Sequence, residues 1–202
     1  MKNTHHGYKA SEVARFARVL PSTIRFWAGR WSGRLIRAAV EDKRVAGSRK
    51  LFSPRNIVQV RVAHVLLQAG FARARVARIL ATARPRPGAD WFDPVHPRLG
   101  KQSALMVIRE PPAPGTGVVF MSGDDEEPQP DRSWGPAVLH ALGKDFELLR
   151  ADFPDGWQPR GPADEQVWGE LRGARVIWLL NVKKIRDDIR RRLSAPSASP
   201  RE

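Results

Sequence analysis

The sequence predicts an α+β protein: a mostly helical N-terminal domain built on a helix-turn-helix, followed by a small domain of strands and helices. Three observations lead there. Two short helical patterns, residues 11–17 and 21–28, are separated by only three residues, too few for an ordinary helical hairpin and right for a sharp corner. The charge is lopsided. Residues 1–110 hold 22 Lys and Arg against 6 Asp and Glu (+16), whereas residues 111–202 hold 13 against 15 (−2), within a net charge of +14. The rear half also changes texture, with short apolar runs bounded by Pro and Gly, as strands are.

The chain divides in sequence into a flexible lead (1–7), a helical head (8–83), a Pro-rich linker (84–103), a small α+β domain (104–193) and a disordered tail (194–202). In the first helix Val13, Phe16 and Ala17 share a face, and in the second Ile24, Trp27 and Ala28 do so, at the spacing of a buried stripe. The opposite side of the second helix carries Ser22, Thr23, Arg25, Phe26 and, just beyond, Arg30. A polar, cationic strip of this kind fits a major groove, where it meets phosphates and base edges. Residues 30–52 read as a β-ribbon with cations at or near its tip, as a phosphate-neutralising wing requires.

Ser53-Pro54 starts the next helix, with Ser as N-cap and Pro at the first helical position. It runs to about residue 69, low in charge and therefore central and buried, until Gly70 stops it. His64 lies on its apolar stripe as a packed core histidine. Residues 71–82 form a further helix, with Phe71, Val76, Ile79 and Leu80 inward and Arg73, Arg75 and Arg78 outward.

These residues carry a resemblance. Glu12-Val-Ala14, Pro21-Ser-Thr-Ile-Arg-Phe-Trp27, Lys50-Leu-Phe-Ser-Pro54 and Ala69-Gly-Phe71 occur in the order of the words E-V-A, S-x-x-T-L-R-Y-Y, R-L-Y-S and L-G-F. The head thus resembles the winged-helix domain of MerR-type transcriptional regulators over about 75 residues. The resemblance implies that Arg25 and Phe26 contact DNA from the recognition helix and that Arg49 and Lys50 touch the backbone near the wing. The family has tyrosines where Phe26 and Trp27 stand, and a capping Ser where Leu20 stands. Its long dimerising helix is replaced after residue 80 by Arg84-Pro-Arg-Pro-Gly88. Ser22-Thr-Ile-Arg-Phe-Trp-Ala-Gly29, Phe52-Ser-Pro-Arg-Asn-Ile-Val-Gln59 and His96-Pro97 more loosely resemble VapB-class DNA-binding antitoxins with a MerR-like head.

In the rear domain, 105–109 and 117–121 read as a strand hairpin, 123–128 as an acidic loop, 137–151 as a helix, 174–181 as the clearest strand and 182–193 as a last helix. Asp187 and Asp188 would pair with Lys184 and Arg191. Trp134, Trp157, Trp168 and Trp178 would either fill this domain's core or line a pocket.

With no cysteine, disulfides, thiolate metal sites and thiol chemistry are excluded. Scattered histidines and the lack of a phosphate loop or nucleophile elbow predict no enzyme, no cofactor and no metal site. The expected function is a cytoplasmic, nucleoid-associated DNA-binding transcription regulator without a membrane segment, dimeric on an inverted repeat of double-stranded DNA. Two alternatives stand beside it: an antitoxin-like autoregulator holding a toxin-like partner with its rear domain, and a protein-interaction module that binds no DNA.

Overall fold

The structure, a computed structural model, describes residues 7–29, 35–41, 50–82, 90, 92–95, 102–110, 118–124, 145–152 and 174–195. Helices α1 (Ala10–Ala17), α2 (Pro21–Trp27), α3 (Pro54–Gln68) and α4 (Arg73–Thr82) precede most of the sheet. Strands β1 (Val40–Glu41) and β2 (Lys50–Leu51) form a two-stranded ribbon between α2 and α3. Strands β3 (Gln102–Glu110), β4 (Val118–Asp124), β5 (Leu148–Asp152) and β6 (Val176–Asn181) make one antiparallel sheet in the order β4-β3-β6-β5, and α5 (Val182–Ser194) follows. The fold class is therefore α+β, as predicted. No described helix is long and apolar enough to cross a membrane.

The described residues fall into two compact units, one drawn from 1–64, 92–95 and 185–202, the other from 65–91 and 96–184. This differs from the predicted division at 83 and 104. The boundary falls inside α3, after His64, and again inside α5, after Lys184.

In the first unit α1 packs against α2, and the predicted stripes Val13, Phe16, Ala17 and Ile24, Trp27, Ala28 are all buried. The three residues between the helices turn sharply because Arg18 takes the left-handed conformation, φ 54° and ψ 52°, and the Val19 N–H reaches back to the Ala14 carbonyl. Glycine is the usual occupant of that position. Lys9 has no acceptor with which to cap α1, but the Glu12 carboxylate accepts its backbone N–H at 2.7 Å, half of a capping box. Leu20 likewise caps nothing with its side chain, and Pro21 at the first position makes one N–H fewer to satisfy.

The ribbon is tied in from both sides. Val40 pairs with Leu51 and Glu41 with Lys50, while Tyr8 exchanges two backbone bonds with Phe52 at 2.8 and 2.9 Å. Gly7 lies so close to this edge that a Cβ there would stand 2.5 Å from the Leu51 Cβ. The Tyr8 ring meets Phe16 edge-on at 5.7 Å. At the start of α3, Ser53 and Asn56 cap reciprocally: the Ser53 N–H donates to Asn56 Oδ1 at 3.0 Å and the Asn56 N–H to Ser53 Oγ at 3.3 Å. The Asn56 amide also donates to the Arg37 carbonyl at 3.0 Å. One buried side chain thus fixes the helix start to the segment leading into the ribbon. His64 is half-buried 6.5 Å from the Trp27 ring, as a core histidine would be.

In the second unit α3 ends at Gly70, φ 88°, with Gly70 N–H bonded to Leu67 O and Phe71 N–H to Leu66 O, the paired bonds of a Schellman end. The sheet is covered on both faces at its centre. Met106, Ile108 and Leu180 are buried on one face, and Val107, Ile177 and Leu179 on the other. That explains why β3 and β6 read as continuous apolar runs instead of alternating. Trp178 is fixed by its neighbours: its indole N–H donates to Glu110 at 2.6 Å and its ring meets Phe71 edge-on at 5.4 Å. Trp134, Trp157 and Trp168 lie outside the described residues.

Several expectations are corrected here. The helix predicted over 137–151 is non-helical at 145–147 and a strand, β5, from Leu148, where pairing to β6 overrides the helical spacing of Phe146 and Leu149; residues 137–144 lie outside the described residues. Arg75, expected to point outward, is half-buried, stacks 4.8 Å over the Phe71 ring and donates to the Arg109 carbonyl. Burial pushes its pKa below the usual guanidinium value, against the pull of the Glu110 carboxylate. Lys184 pairs with Asp145, while Asp187 pairs with Arg190 and Asp188, as expected, with Arg191. The loop predicted from 123 begins as strand, since Gly123 and Asp124 belong to β4.

Candidate nucleic-acid interface

The outer side of α2 is built by what its inner side buries. With Ile24, Trp27 and Ala28 packed inward, the 3.6-residue repeat turns Ser22, Arg25 and Phe26 outward, and all three are exposed. Thr23, at the flank, is half-buried. Phe26 is 60% exposed and Leu20, at the mouth of the helix, 68%. The Arg25 guanidinium makes no hydrogen bond or ion pair with the described residues. Arg30 and Arg49, the other predicted contacts, lie outside the described residues.

Lys50, expected near the DNA backbone, has a partner within the fold. Its ammonium donates to the Ala28 carbonyl at 2.6 Å, at the C-terminal end of α2, where a helix leaves carbonyls without partners and carries partial negative charge. The same carbonyl end receives the returning chain, as the Leu35 N–H bonds to Trp27 O at 2.9 Å. The end of α1 is treated alike. Arg192, from α5, donates to the Phe16 carbonyl, and Arg61, from α3, approaches the Ala17 carbonyl at 3.5 Å. Cations from three separate elements therefore hold the two helix ends that fix the angle of α2.

Sequence reasoning did not single out Arg61, Arg192 or Asn56. A helix end supplies a signal for such clamps only once the fold shows which distant cation arrives there. Arg18 was also passed over, although its place in a three-residue turn marks it as exposed and cationic beside α2. Arg55 is oriented over the buried Phe92 ring, 5.7 Å from its centroid, so it too is partly engaged by packing. No family model matches the chain, and no curated protein shows significant similarity to it.

Proposed function

We propose that this chain is a sequence-specific DNA-binding transcriptional regulator of the MerR-like type. In this reading a winged helix-turn-helix head reads one half-site, and a homodimer binds an inverted repeat of double-stranded DNA in the cytoplasm, at the nucleoid. The observation that carries the proposal is the exposed Ser22-Arg25-Phe26 side of α2, backed by buried helices and clamped at its C-terminal end. A groove-reading helix needs that combination of a fixed axis and an outward cation. The +16 surplus of residues 1–110 supplies the attraction to phosphate.

The test is selection of bound duplexes from a random pool with the full chain, followed by affinity measured from 50 to 200 mM salt. If about four phosphates are neutralised, affinity falls by about a hundredfold over that range. Binding indifferent to salt, or no enriched sequence, defeats the proposal. The apolar exposure at Leu20 and Phe26 supports a second reading, a protein-interaction module. A pool from which nothing is retained, even at low salt, favours that reading.

A further inference from the structure

Phe26 is a large aromatic side chain left 60% exposed on the outward side of α2, next in sequence to the exposed Arg25 and one turn from the exposed Ser22. The other described phenylalanines of the unit, Phe16, Phe52 and Phe92, are all buried. The exposure of Phe26 therefore does not reflect a shortage of core. Its ring has no hydroxyl with which to bond a phosphate, so against a duplex it has apolar contact to offer. The major groove presents one prominent apolar group, the C5-methyl of thymine, and arginine beside it suits the O6 and N7 of guanine.

We infer that Phe26 determines specificity by packing on a thymine C5-methyl in the major groove, adjacent to a guanine read by Arg25. The inference rests on the DNA-binding reading and deepens it. It specifies a half-site in which a thymine lies within one base pair of a guanine. Neighbouring residues on a helix step along the groove together, so the two contacts cannot be distributed over distant positions. Ser22, one turn before Phe26 on the same side, is left to the phosphate or to a base edge of either kind.

The test uses the duplex recovered by selection with the full chain, in which each thymine is replaced in turn by deoxyuridine. This deletes one methyl and leaves every hydrogen-bonding group in place. The expected result is a loss of about three- to fivefold at one thymine per half-site, the size that burying a single methyl supplies, and no loss at the others. Phe26→Ala binds the thymine and deoxyuridine duplexes equally, whereas Phe26→Leu, which keeps an apolar contact, retains part of the preference. Because the residue is exposed, neither variant disturbs folding, and the DNA substitution leaves the protein untouched. If the unaltered protein binds every deoxyuridine duplex as well as the parent while Arg25→Ala still weakens binding, the methyl contact is overturned and the DNA-binding reading stands. If no duplex is retained at all, both fall together.

Discussion

On the outer side of α2, Arg25 stands in solvent with no bond to the described residues. At the inner ends of the same helix pair, Lys50, Arg61 and Arg192 are directed at backbone carbonyls. All four are cations of a basic chain. Three of them neutralise the negative poles of α1 and α2, while Arg25 is exposed and bonded to none of the described residues. The contrast teaches that a charge surplus overstates the number of phosphates a protein can neutralise. Part of the surplus answers charge that the fold itself creates at its helix ends.

Four substitutions sharpen or break this contrast. The largest effect is expected from Asn56→Ala, which removes no charge but leaves the Ser53 N–H and the Arg37 carbonyl without their partner. Denaturant titration should show a loss of about 3 kcal/mol, since stranded backbone groups cost about 1–3 kcal/mol each. Next comes Arg25→Ala. Affinity for the selected duplex should fall by about 1–3 kcal/mol with the thermal midpoint unchanged; equal loss on random DNA would assign Arg25 to phosphate. Lys50→Met keeps the aliphatic stem and removes the ammonium from Ala28. It should cost about 1 kcal/mol of stability and leave the salt dependence of DNA binding as it was. A salt slope shallower by about one unit would instead put Lys50 on the duplex. The smallest effect is a gain: Arg18→Gly relieves the left-handed backbone and should raise stability by about 0.5–1 kcal/mol.

The sequence made the head legible because its signals are local. Stripes at helical spacing, Pro21 and Pro54 at helix starts and Gly70 at a helix end placed α1 to α4 within two residues of their observed bounds. The outward residues of α2 followed from the same periodicity. What stayed hidden depends on partners far along the chain. Nothing near Lys50 announces the Ala28 carbonyl, and nothing near Arg75 announces the Phe71 ring under it and the Arg109 carbonyl beyond. Leu148 to Asp152 was misread because Phe146 and Leu149 also suit a helix; its strand character is conferred by β6. Helical spacing suggested acidic partners for Lys184 three and four residues away and gave no sign of Asp145, 39 residues back, to which it pairs.

The bond from Arg192 to the Phe16 carbonyl spans 176 residues. During synthesis α1 is made well before this partner, and it lacks the clamp until the chain has grown by a further 176 residues. Closing so long a loop is slow compared with forming neighbouring turns, so the end of α1 receives this restraint late. A nascent chain stalled shortly before residue 192 therefore carries the first helix with its end unfinished.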